Sequence, residues 1–145
     1  MGGEVYGAEL AADWTPLKWW RLRAAYTFLE MQLHTSSGSS ESSQVTPEGQ
    51  SPHHQVSLRS LIDLPWHFEL DAWLRCVDEL PALGVGSYVT LYVRLGWKPV
   101  KSLELSIVGQ NLLDSRHPEF ALEVIDPTVR TEVERAIYGK ITWGF

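Results

Sequence analysis

ERAIYGKITWGF, residues 134–145, ends the chain and decides how the rest is read. Ile137, Ile141, Trp143 and Phe145 fall at alternate positions, with Lys140 and Thr142 between them. A period of two marks a strand with one apolar and one polar face. Gly139 takes one apolar position and weakens the pattern slightly. A strand in a soluble core gains nothing by ending on a bare aromatic. A strand whose apolar face meets lipid does, because aromatic rings favour the membrane–water boundary.

Working backwards, the same period recurs in six more segments, giving strands at about 5–14, 20–33, 54–64, 66–78, 88–97, 103–113 and 134–145. Each is roughly 10 residues, the length a tilted membrane-spanning strand needs. One face collects Leu10, Trp14, Leu22, Phe28, Leu58, Leu74, Leu95 and Ile107. The other collects Glu9, Asp13, Arg21, Arg23, Arg59, Asp63, Glu69, Asp71, Arg75, Arg94, Glu104 and Lys140. Charges on a lipid face cost about 2–4 kcal/mol each at the midplane, so this second set is expected to face a lumen.

A soluble β-sandwich also alternates, so connection lengths and tryptophans bear the weight. Short joins (15–19, the Leu64-Pro65-Trp66 corner, 98–102) take turns with long ones (34–53, 79–87, 114–133). Outer-membrane barrels have short turns on one side and long loops on the other. Trp14, Trp20, Trp66, Trp97 and Trp143 all fall at the short-turn end, as one interfacial girdle. Trp73 is the exception and points to the polar side.

The bulk numbers agree. With 145 residues, 44% hydrophobic and 21% charged, the composition is that of an ordinary folded chain. No apolar run is long enough for a transmembrane helix. A mean hydropathy of −0.13 averages two unlike faces. A net charge of −6 without a basic stripe argues against a nucleic-acid partner. The single Cys76 excludes an internal disulfide and a multi-cysteine zinc site, and by register it is a lipid-facing thiol. Met1 leads straight into a strand with no signal-peptide pattern. An exported protein needs one, so the chain is expected to belong to a longer precursor. Seven antiparallel strands also leave the first and last running the same way, an odd set with two open edges.

Five segments carry a family resemblance: GAELAADWTPLKWWRLRAAYTFLE, SLRSLIDLPWHFELDAWLRCVDELP, SYVTLYVRLGWKP, LELSIVGQNLLDSRHPEF and ERAIYGKITWGF. Together they resemble the C-terminal barrel region of TonB-dependent outer-membrane receptors, from about Tyr6 to Phe145. The most specific piece is Gly109-Gln110-Asn111-Leu112-Leu113-Asp114, similar to a motif that closes the family's penultimate strand, with Leu113 where Phe is commoner. His117 and Glu119-Phe120 resemble the start of its last extracellular loop. The resemblance implies an all-β antiparallel meander, the last seven strands of a barrel of the 22-stranded type, whose plug domain and signal peptide are absent here. It implies uptake of a scarce ligand such as a ferric siderophore, driven through TonB. It also implies residence in the bacterial outer membrane among its lipids, and a C-terminal strand (Ile137, Ile141, Trp143, Phe145) read by the barrel-assembly machinery.

Other candidates are weak. His53-His54, with His34 across the same loop, read as loop histidines, since neighbours on a strand point to opposite faces. His67, Glu69 and Asp71 share a face, but no nucleophile or oxyanion loop accompanies them, so no catalytic residue is expected. Ser36–Ser43 reads as a loop tip, with no phosphate-cradling pattern. No metal or cofactor is expected. Two alternatives stay open: a small stand-alone outer-membrane barrel with an anchoring role, and a soluble β-sandwich binding module.

Overall fold

Apolar side chains at every second position can share one surface only if the backbone is extended and neighbouring strands pair in matching register. The computed structural model describes residues 2–34, 51–81, 84–113, 116–118 and 132–144, and in it the chain does this across a 7-stranded sheet. In chain order the strands are β1 (Gly2–Leu17), β2 (Trp20–His34), β3 (His54–Leu64), β4 (Phe68–Val77), β5 (Tyr88–Val100), β6 (Leu103–Gln110), β7 (Arg116–Pro118), β8 (Glu132–Glu134) and β9 (Ala136–Trp143). The large sheet runs β1-β2-β3-β4-β5-β6-β9, every neighbour antiparallel. It is an up-and-down meander, and β1 and β9 point the same way.

The register sorts side chains into two sets. One row reads Ala12, Ala24, Leu58, Leu74 and Leu91 across five strands. Two rows along on the same face, Trp20, Ile62, Leu70, Leu95 and Ile107 line up. The apolar set is even-numbered in β1–β4 and odd-numbered from β5 onward. The change of parity falls in the connection 78–87.

The sheet is a single layer. Among the described residues the buried apolar side chains are Val77 and Val108 in the sheet and Leu80 and Val85 in the connection after β4, while Leu10 is 70% exposed and Ile141 73% exposed. The second layer that a β-sandwich would pack on the apolar face does not occur among the described residues.

Element ends differ from expectation in instructive ways. β1 and β5 continue past Trp14 and Trp97, each through a bulge. Pairing steps from Trp14↔Leu22 to Leu17↔Trp20, and likewise from Trp97↔Leu105 to Val100↔Leu103. Pro16 and Pro99 sit inside the two bulges, where a residue without an N–H breaks no ladder bond. The third short join, Pro65–His67, is a 3₁₀ turn. It holds Trp66 at φ 58° and His67 at φ 64°, left-handed conformations that only glycine adopts freely.

β6 stops at Gln110 instead of running to Leu113, and the last strand spans Ala136–Trp143 instead of 134–145. Two long connections carry structure of their own. Leu80 and Val85 bridge each other, with N···O distances of 2.7 and 3.2 Å, around Gly84 at φ 62°. Segments β7 and β8 pair as a short ribbon leading into β9. Phe145, Asp114, Ser36–Ser43, Glu119-Phe120 and the side chains of His34 and His117 lie outside what the structure describes.

Candidate functional site

Each face of the sheet is a candidate surface. On the apolar face, Trp14, Trp20, Trp97 and Trp143 lie at the short-turn end, paired with Leu22, Ile62, Phe68 and Leu103 respectively. Trp66 projects from the 3₁₀ turn at the same end, 82% exposed. Trp19, which the sequence reading left out, joins them. Its ring stacks on Trp20 at 6.3 Å, and Phe68 stacks on Trp97 at 5.7 Å. Ser60, a polar residue inside the apolar set, accepts a hydrogen bond from Trp20 Nε1 at 3.0 Å, so its hydroxyl is satisfied there. Cys76 also lies on this face, between Val56 and Val89. Ile137, Ile141 and Trp143 continue the face along β9.

At the opposite end of this face polar groups return. Tyr26 Oη and His54 Nδ1 lie 2.8 Å apart, Gln32 Nε2 donates to Tyr6 Oη at 3.0 Å, and His53 Nδ1 sits 3.5 Å from Glu30. The apolar face is thus bounded by polar-edged aromatics at one end and hydrogen-bonded polar groups at the other. Both are arrangements suited to a boundary with water. Among the described residues no three His, Cys, Asp or Glu side chains group to hold a metal ion.

The register places Glu9, Arg21, Arg23, Arg59, Glu69, Asp71, Arg75, Arg94, Glu104 and Lys140 together on the other face. Most are paired across strands. Arg21 meets Asp63 at 3.3 Å and Arg23 meets Asp13 at 2.7 Å. Arg59 grips Asp71 through both carboxylate oxygens, at 2.9 and 2.5 Å. Asp71 is buried, so this pair keeps a charge in a place where it could not stand alone. Arg94 contacts Glu104 and, at 3.5 Å, Glu69. Lys98, which the sequence reading did not single out, completes that group, 2.6 Å from Glu69 and 3.8 Å from Glu104. Gly96 makes room for it, because a Cβ there would stand 2.8 Å from Arg94 Nη2. Among the described residues Glu9 accepts only a long hydrogen bond from Thr27, at 3.5 Å. Arg75 and Lys140 have no carboxylate partner among the described residues.

Trp73 lies in the middle of this wall. The guanidinium carbons of Arg59 and Arg75 lie 5.8 and 5.5 Å from its ring centre, within cation–π reach. Apolar Leu61, Val77 and Val108 share the face, a departure from an all-polar wall.

The motif at residues 109–114 turns out to be a clasp. Asn111 adopts φ 51°, a left-handed position that Asn tolerates better than most residues. It is nearly buried, and its Nδ2 donates to the carbonyl of Glu134, 3.4 Å away, just ahead of β9. The chain then carries on alongside β5. Leu112 N–H bonds Leu91 O at 3.1 Å, and the Leu112 side chain covers Gly109, where a Cβ would approach within 3.0 Å. Gln110 Nε2 reaches Tyr138 Oη at 3.3 Å. Leu113 is exposed. The motif ties β5, β6 and the approach to β9 together.

A one-layer antiparallel meander with one apolar and one ion-paired face defines a class, the wall of a large barrel. Among solved structures the chain matches the siderophore receptor PiuA from Acinetobacter baumannii, with a TM-score of 0.71, 21% identity and 97% of this chain covered. The match spans 22% of that receptor's chain. At this identity the likeness shows the fold alone. No protein-family model matches the chain, and no curated protein matches it.

Proposed function

We propose that this chain is part of the membrane-spanning wall of a TonB-dependent outer-membrane receptor that takes up a scarce ligand such as a ferric siderophore. The observation that carries this reading is the two-sidedness of a single sheet. An exposed apolar face is bounded by Trp14, Trp20, Trp97 and Trp143 at one end and by Tyr26 and His54 at the other. Behind it stands a face of ion pairs. In water the first face would aggregate; against lipid tails it is at home, and the second face then lines an aqueous or protein-filled interior.

The two edges of the sheet support a larger barrel over a small closed one. β1 and β9 run the same way, so joining them directly would make a parallel seam. Bacterial single-chain barrels are antiparallel with even strand counts, and unpaired edges in hydrocarbon cost several kcal/mol per group. In this reading the chain catalyses no reaction. Its partners are outer-membrane lipid, the assembly machinery that reads the C-terminal strand, and, in the whole receptor, TonB and the ligand.

The test is cell fractionation with a growth assay. The protein should sediment with the outer membrane and resist carbonate extraction. Deleting the segment that encodes it should slow growth when iron is supplied only as a ferric siderophore. Recovery as a detergent-free soluble monomer with a cooperative melt would refute the membrane reading. Normal growth with an intact outer-membrane location would refute the uptake reading alone.

A further inference from the structure

Four arginines of the polar face, Arg21, Arg23, Arg59 and Arg94, each have a carboxylate within salt-bridge distance. Arg75 does not. The nearest acid along its own strand is Asp71, already held by both oxygens to Arg59. What Arg75 has instead is the Trp73 ring, 5.5 Å away, and an open recess of about 210 Å³ lined by Trp73, Arg75, Thr90, Tyr92, Gln110 and Asn111.

The remaining groups of that recess are also short of partners. The hydroxyls of Thr90 and Tyr92 make no side-chain hydrogen bond among the described residues. Gln110 and Asn111 use their amide nitrogens, on Tyr138 Oη and Glu134 O, and among the described residues their side-chain carbonyl oxygens accept no hydrogen bond. Asn111 is the more firmly placed of the two, being buried and held in the left-handed clasp that ends β6.

We infer that this recess binds a small hydroxycarboxylate from solution. A guanidinium laid against an indole keeps its edge N–H groups free for a carboxylate, and the planar fork suits two parallel hydrogen bonds. Two hydroxyls and two amide oxygens around it match a ligand that carries hydroxyl groups beside the acid. The volume holds roughly seven water-sized units at about 30 Å³ each, enough for a sugar-acid-sized molecule. The site rests on the barrel reading only in that its face must be wetted.

The experiment uses the purified protein in detergent micelles, titrated with sodium gluconate and with sorbitol, which has the hydroxyls but no carboxylate. Tryptophan fluorescence is the readout, with Trp73→Phe to assign the signal. Gluconate should give a saturable change that Trp73→Phe abolishes, and sorbitol should not. Arg75→Gln should weaken gluconate binding at least about tenfold, the loss expected for hydrogen bonds to a charged partner. Arg75→Lys should also weaken it, since a point charge cannot replace the fork. Arg23→Gln, which breaks the separate pair with Asp13, should leave it unchanged.

A flat gluconate titration with β-sheet circular dichroism intact overturns the inference and leaves the barrel reading standing. So does a gluconate response that survives Arg75→Gln. Saturation by a capped triglutamate peptide but not by gluconate overturns the small-solute assignment and makes the recess a seat for an acidic side chain. Loss of outer-membrane location strikes at the barrel reading instead.

Discussion

Ala24 and Ala25 are neighbours in β2, and they offer a matched pair for testing which face meets lipid. Ala24 lies between Ala12 and Leu58 on the apolar face; Ala25 lies between Ala11 and Ser57 on the polar one. The apolar set of β2 runs from Trp20 to Phe28. Eight steps at about 3.4 Å give about 27 Å along the strand, or about 21 Å across the membrane at a tilt of about 40°. Ala24 is central, about 10 Å from either boundary by the same geometry. Arginine there should cost about 2–4 kcal/mol. Arginine at Ala25 should cost about 0.5 kcal/mol, as at an ordinary wetted position. Both variants exchange the same residues in the same strand, so propensity and side-chain entropy cancel in the difference. Urea unfolding of the protein in short-chain phosphatidylcholine vesicles, followed by far-ultraviolet circular dichroism, measures it. A gap of at least about 1.5 kcal/mol is expected. Equal losses, or the larger loss at Ala25, would refute the assignment of faces.

Three further outcomes are expected. Arg59→Ala strands the buried Asp71 carboxylate and should destabilise by about 2–3 kcal/mol, at or below the lower end for a broken buried pair because Arg59 is itself partly exposed. Adding Asp71→Ala should recover part of the loss, and a double-mutant cycle in urea would show no coupling if the pair is idle. Asn111→Ala should cost about 1–2 kcal/mol, mostly for placing a Cβ-bearing residue without a polar arm at φ 51°. Asn111→Gly should cost less than the alanine variant, and the reverse order by the same melts would discredit the clasp. Gly96→Ala pushes on Arg94 and should cost about 1 kcal/mol through the Glu69–Arg94–Glu104–Lys98 group. That cost should shrink once Arg94 is also alanine, and simple additivity would count against the crowding.

Alternation made the strands and their faces legible because register translates sequence parity directly into side. Val89, Val93 and Trp97 announce their surface as plainly as Glu9 and Asp13 announce theirs. What alternation could not convey was anything depending on a neighbour from a distant strand. Arg59 and Asp71 are both charged in the sequence, yet only the β3–β4 pairing shows that one holds the other. Lys98 looked like turn material, and its role appears only when Glu69 and Glu104 arrive from either side. Trp73 gave a hint by breaking the girdle rule while flanked at two-residue spacing by Asp71 and Arg75. Its recess is completed by Thr90 and Tyr92 from β5 and by Gln110 and Asn111 at the end of β6. The left-handed Trp66 and His67 were hidden for a different reason, since neither residue type signals that conformation.

The bulged turns at Trp14–Leu17 and Trp97–Val100 have a bearing on how such a chain can vary. An added residue in a tight join shifts the phase of everything after it, and a sheet with two unlike sides cannot absorb a half-step. Each bulge supplies the half-step locally, so that a two-residue turn still delivers the next strand with the correct side outward. Loss of one codon at Thr15 or Pro16 would remove the bulge and leave a regular two-residue turn, with Trp14 still opposite Leu22. Loss of one codon inside β2 itself would instead move part of that strand to the wrong side of the sheet. Odd steps in length are therefore expected at the bulges and in the long connections, not inside the strands.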